Sequence, residues 1–212
     1  MHYIELSGGI SIEKVLNQMN NNEKSSTIKA TIESWFESTD LDDEENLKKL
    51  EDIVYCDDRS VTDTNHGWCK DGEGTLLMRY STFTRRENGT PNLSCRQTIG
   101  NRDRFTYKDI VNGNGLLNWP VGLLSADEIM LAGGQNSSNS DYYLYTGQRY
   151  WALSPIMFSG DNSHSFHVHG DGVLSNNFTF NLSGVRPVNS LSSSVLPNLS
   201  GIGTETDPYV VN

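Results

Sequence analysis

The sequence predicts an α+β fold in which helices come first and short strands with long loops follow. Two observations carry this. Apolar residues recur at helical spacing through the first quarter of the chain, as in Ile28, Ile32, Trp35 and Phe36, which places them on one face of a helix. Beyond Val54 the periodicity is lost, and short apolar runs alternate with Gly, Asn, Ser and Pro clusters, the pattern of strands and turns. The chain therefore divides into a helical segment, 1–53, and a loop-rich domain, 54–212.

Within the helical segment, Ile10, Ile12, Val15, Leu16 and Met19 predict a first helix ended by Asn20-Asn21-Asn22. A second starts at the Ser25-Ser26 cap and breaks at Ser38-Thr39-Asp40. A third opens on Asp42-Asp43-Glu44-Glu45, acids that suit the positive end of a helix dipole, with Leu47, Leu50 and Ile53 facing inward. The acidic run lacks the alternating oxygens, central Gly and terminal Glu of a calcium-binding loop.

In the second part, Leu76-Leu77-Met78-Arg79-Tyr80 predicts a strand followed by a polar loop, with turns at Asn88-Gly89 and Pro91-Asn92. The apolar run at residues 116–124 is expected in the core. Ser125 then caps a helix whose first turn holds Asp127 and Glu128, and Gly133-Gly134 stops it. Adjacent helical residues point roughly 100° apart, so these two acids read as dipole and capping groups and not as a catalytic pair.

Composition narrows the functions open to such a chain. Its 212 residues suffice for a sizeable core, and 27 acidic against 16 basic residues give a net charge of −11. That charge disfavours nucleic acid and anionic membranes as partners. No apolar run approaches the roughly 20 residues that span a bilayer, and Met1-His2-Tyr3-Ile4-Glu5 has neither the basic start nor the apolar core of a signal peptide. Cys56, Cys69 and Cys95 permit one disulfide and leave one thiol over. His66-x-x-Cys69 supplies half of a zinc site, and no second half follows.

The stretch with most functional character is residues 157–177. Phe158, Ser159, Asp161, Asn162, Ser163, His164, Ser165, His167, His169, Asp171, Ser175, Asn176 and Asn177 are its candidate ligand-binding residues. They alternate with Phe166, Val168, Val173, Leu174, Phe178 and Phe180. Because successive strand residues face opposite ways, Phe166 and Val168 are expected to point inward while Ser165, His167 and His169 point out. The mixture of His, Ser, Asn and Gly resembles that of antibody paratopes, where small polar groups supply adaptable hydrogen bonds.

Several motifs carry a resemblance. Cys56-Asp57-Asp58-Arg59-Ser60, Trp119-Pro120-Val121-Gly122-Leu123-Leu124, Tyr150-Trp151-Ala152-Leu153-Ser154-Pro155, Gly184-Val185-Arg186-Pro187 and the ending Asp207-Pro208-Tyr209-Val210-Val211 together resemble a family of bacterial surface domains associated with pilin-like segments. The resemblance implies a C-type-lectin-like domain, with short antiparallel strands and long loops, of the fold also used by formylglycine-generating-enzyme-like proteins. Some proteins of that fold are the variable proteins of diversity-generating retroelements, whose mutagenesis scatters Asn, Ser, Asp, His, Tyr and Gly codons over a binding face. The resemblance further implies that Cys56 pairs with Cys95, leaving Cys69 as the extra cysteine. It makes Trp151, Pro155, Arg186 and Pro187 scaffold around the displayed stretch, with Arg186 in an ion pair or a backbone contact. The implied place is the cell surface or the medium, with the export signal lying outside this stretch of chain.

Enzymatic readings fare worse. His164, His167 and His169 form H-x-x-H-x-H, and two of them share a strand face, but the only acids at suitable spacing are Asp161 and Asp171; no metal or other cofactor is expected. No Gly-x-Ser-x-Gly elbow accompanies the serines. Formylglycine-type chemistry needs reactive cysteines near the C-terminal end, and none follows Cys95. Calcium-dependent sugar binding lacks its Glu-Pro-Asn and Trp-Asn-Asp motifs, whereas calcium-free stacking of sugars on aromatic rings stays open. The expected function is thus non-enzymatic binding or adhesion toward a protein or glycan on another cell or host, with a structural filament subunit or a phage receptor-binding protein as alternatives. A homo-oligomer is open through the apolar face at residues 10–19.

Overall fold

The computed structural model describes residues 22, 25–62, 68–70, 76–95, 100–159, 162–204 and 206–211, with backbone alone at 68–70 and 76. The helix expected at residues 10–19, His66, the Cys69 side chain and Asp161 lie outside what is described. The fold is α+β, as the patterning predicts.

Helix α1, Thr27–Glu37, starts where Ser26 Oγ accepts the Lys29 N–H at 3.1 Å, and it buries Ile32 and Phe36. Trp35 stays exposed. The third predicted helix is much shorter than expected: a 3-10 turn at Asp40–Asp42 leads into α2, Glu44–Leu47, which stops before Leu50. Tertiary partners take over there. Leu50–Glu51 (β1) pairs with Ser190–Leu191 (β9), and the Asp52 carboxylate accepts the backbone N–H groups of Tyr107, Lys108 and Asp109 at 2.7, 2.7 and 2.8 Å. A helical Asp52 could not reach all three.

Tyr55–Cys56 (β2) pairs with Arg104–Phe105 (β5), and Cys56 is joined to Cys95. The main sheet is five-stranded and antiparallel in the order β3-β4-β6-β7-β8, built from Trp68–Lys70, Leu76–Arg79, Tyr150–Ser159, Asn162–Val168 and Leu174–Phe178. A last ribbon pairs Leu199–Ser200 (β10) with Val210–Val211 (β11). The polar loop expected after β4 is instead helix α3, Ser81–Asn88, closed by Gly89 at φ 61°. Its single large apolar residue, Phe83, is held between the guanidinium groups of Arg79 and Arg86, 4.6 and 5.4 Å from the ring centroid, so it carries no apolar stripe for sequence patterning to find.

Strand β6 divides two cores. Tyr150, Ala152 and Ile156 join Phe166, Val168 and Leu174 against Ala126 and Ile129. Trp151 packs on the other side with Ile32, Phe36, Val121 and Leu123, and Leu153 lies against that cluster. The helical segment thus shares a core with the sheet. Of the apolar run at 116–124, Val121 and Leu123 are buried as expected, but Leu116 is exposed. Helix α4, Ala126–Leu131, carries the full capping box between Ser125 and Glu128 and ends before Gly133 at φ 108°. Its N-terminus is tied to β6 where Ser154 Oγ accepts the Ala126 N–H at 3.0 Å and the Leu124 carbonyl accepts the Leu153 N–H at 2.8 Å. Among the described residues no helix is long and apolar enough to cross a membrane.

Candidate ligand-binding face

The alternation on β7 is present, but neither face is open. Phe166 and Val168 enter one core, while Ser165 and His167, expected outside, are buried on the opposite side. His167 is 4% exposed, its ring 5.8 Å from that of Trp151. The physical reason is a second layer: α1 and residues 119–123 cover the face that a two-layer reading leaves to solvent. His164 is also buried, and Phe158 is 1% exposed within the core. These four residues are corrected from display to interior positions.

Burial sets the protonation of the two inner imidazoles. Desolvation lowers the His164 pKa. Desolvation, with the Arg149 charge adding to it, pushes His167 down to about 4, since neither a low-dielectric site nor a neighbouring positive charge favours an imidazolium. Among the described residues His164 Nε2 and His167 Nδ1 have no hydrogen-bond partner.

Ser159, Asn162, Ser163, Ser175, Asn176 and Asn177 are half-buried. Ser163 shares a 2.7 Å hydrogen bond with Thr179, Asn176 Nδ2 lies 3.2 Å from His164 Nδ1, and Asn177 Oδ1 accepts from the Phe178 N–H and from Asn181 Nδ2. At the β7–β8 tip, Arg149 Nη2 lies 2.6 Å from His169 Nε2, and His169 Nδ1 is 2.9 Å from Asp171 Oδ1. A guanidinium can only donate, so Nε2 accepts and the ring proton sits on Nδ1, donating to Asp171. The Val173 N–H, His169 and Ser138 together hold the Asp171 carboxyl below its ordinary range. The three histidines of H-x-x-H-x-H therefore serve different environments, and among the described residues no group of three His, Cys, Asp or Glu is placed to hold a metal.

The scaffold residues are where a frame is needed. Trp151 is core, and Pro155 sits between two register shifts of β6, where a missing N–H costs no ladder bond. Arg186 donates to the Leu144 carbonyl at 2.6 Å and lies over the Tyr150 ring; Pro187 is half-buried beside it.

The apolar thread picked out by patterning also holds the exposed aromatic residues. Phe178 and Phe180 are 37% and 69% exposed, with rings stacked 5.0 Å apart at 14°. The His164 ring lies 4.3 Å from Phe178 on the core side, so a buried imidazole backs an exposed aromatic pair flanked by Asn176, Asn177 and Asn181. The signal that could have found them is position: β8 is the last strand of the sheet, and alternation beyond its end has no second layer to enter. The two accessible zones, the His169/Asp171 tip and the Phe178/Phe180 platform, lie at opposite ends of the β7–β8 ribbon.

Comparison of the chain with protein-family models, with characterised proteins and with solved structures finds no match.

Proposed function

We propose that this chain is an extracellular ligand-binding or adhesion domain with a C-type-lectin-like fold, of the kind that diversity-generating retroelements vary, and that it engages a protein or glycan on another cell or host. One observation carries the reading: the stacked, exposed Phe178 and Phe180, with Asn176, Asn177 and Asn181 as their neighbours along the chain. Stacked aromatic faces with neighbouring amides offer apolar contact and orienting hydrogen bonds together, and both cost little entropy when the strand beneath is rigid. The Cys56–Cys95 disulfide supports an oxidising location outside the cytosol.

The test replaces Phe178 and Phe180 by Ser and measures binding to glycan arrays and to intact cells, with circular dichroism as the control for folding. A binding domain loses its ligand and keeps its spectrum. A filament subunit, the principal rival, keeps assembling and shows no binding to lose. Retroelement diversification predicts a near-copy of the coding region for residues 150–187, differing at adenines, beside a reverse transcriptase in the flanking DNA.

A further inference from the structure

A second site lies away from the aromatic platform. Between α1 and residues 116–123 is a cavity of about 220 Å³, walled by Ile28, Ile32, Phe105, Leu117, Val121 and Leu153. Folded interiors leave few voids larger than one water molecule. An apolar cavity of about 150 Å³ takes up benzene, and in the same proportion the space here accepts a hydrocarbon body of about nine carbons.

The lining residues that meet solvent, Ser25 and Leu116, mark its mouth. Leu116 belongs to the apolar run expected in the core, yet it is 45% exposed. Ile110, 76% exposed, lies against the adjoining Gly115, where a Cβ would stand 2.9 Å from Ile110 Cγ2. Apolar side chains thus continue from the cavity wall onto the surface beside it. A recess with such a lip is the pattern of a ligand groove and not of a packing flaw.

The polar groups bordering the cavity are engaged with one another. Ser26 Oγ accepts the Lys29 N–H, Lys29 is paired with Glu33, and Glu33 accepts the Asn118 N–H and Nδ2 at 3.1 Å. Tyr55 Oη lies 3.1 Å from the Val188 carbonyl oxygen. Asn22 bonds to Arg59 and to the Arg102 carbonyl, and Asp57 has Arg59 Nε 3.9 Å from its Oδ2. A charged ligand would give up its hydration here for no free counter-charge, which is costly; a neutral one would not.

We propose that this cavity binds a small neutral molecule with a hydrocarbon body the size of an alkylbenzene. The body seats against Ile32, Val121 and Leu153, and any polar end of the ligand stays at the mouth beside Ser25. The site is independent of the Phe178/Phe180 platform, so either can fail without the other.

The experiment titrates the full chain at pH 7 with three probes built on one ring, ethylbenzene, 2-phenylethylamine and phenylacetate, and follows backbone amide shifts by NMR. Ethylbenzene is expected to bind saturably and at least tenfold tighter than either ion, with shifts centred on α1 and residues 116–123. Leu117→Trp, which fills the cavity, is expected to abolish those shifts while the circular dichroism spectrum stays that of the wild type. Equal affinity for the three probes, no saturable shift up to the solubility limit of ethylbenzene, or ethylbenzene binding unaltered in Leu117→Trp would each overturn the proposal. Should Leu117→Trp not fold, the order of the probes and the location of the shifts on the wild type decide alone.

Discussion

Arg85 and Asp127, 42 residues apart, meet in a bidentate pair, Nε to Oδ1 at 2.8 Å and Nη2 to Oδ2 at 2.7 Å. The contact ties α3 to the first turn of α4. Asp127 therefore does more than complement a helix dipole: it also accepts the Asn92 N–H at 2.9 Å. Both side chains are largely buried. Arg85 keeps Asp58 at 2.9 Å when Asp127 is removed, so Asp127→Ala is expected to cost about 2 kcal/mol, less than the roughly 3–5 kcal/mol of a buried charge left with no partner. Denaturant unfolding of both single variants and the Asp127→Ala/Arg85→Ala double measures it. Strictly additive losses would mean that the two residues act separately.

The buried imidazoles predict acid sensitivity. His167 titrates near 4 in the folded chain against 6.5 unfolded, so the unfolded state binds more protons between these values. A depressed folded pKa gives stability that is fully present above about pH 6.5 and lost as pH falls toward 4. The loss is on the order of 2 kcal/mol, and His164 adds to it in the same direction. Melting temperature against pH for wild type and His167→Gln isolates this from the carboxylates: the two curves should converge as pH falls, and parallel curves would refute the assignment.

The Cys56–Cys95 bridge closes a loop of sequence separation 39. Chain entropy assigns such a loop about 4 kcal/mol. Cys56→Ser/Cys95→Ser is expected to shift the urea midpoint downward by the corresponding amount, whereas loss of Cys69 should leave the bridge formed in a non-reducing peptide map.

At the tip of the β7–β8 hairpin, Gly172 has φ 86°, and a Cβ built on it would lie 1.7 Å from the Asn139 carbonyl oxygen. Gly172→Ala therefore combines left-handed backbone strain with a clash against backbone. The expected cost exceeds about 2 kcal/mol, read by thermal unfolding. Gly89, also at positive φ but with open space around it, should lose only the strain component when changed to Ala.

What patterning captures here is local chemistry. Ser26 and Ser125 are side-chain caps because a hydroxyl can satisfy an N–H that the helix leaves orphaned, and this needs no knowledge of the rest of the chain. Helix α3 escapes for the opposite reason: Arg85 and Arg86 hold it through partners on other elements, including Asp127 and the Leu174 carbonyl, and neither of those partners is visible in the segment itself.

The binding face divides in the same way. The alternation of Phe166 and Val168 with Ser165 and His167 is set by the two-residue period of a strand, and the sequence by itself determined it. Which side meets water was decided by the tertiary structure, because α1 and residues 119–123, distant in sequence, pack on Trp151, whose ring lies beside His167. Phe178 and Phe180 reach the surface because β8 ends the sheet and no described residue covers that end. A strand encodes two faces; only the layers packed on it, and the order in which strands lie side by side, choose between burial and display.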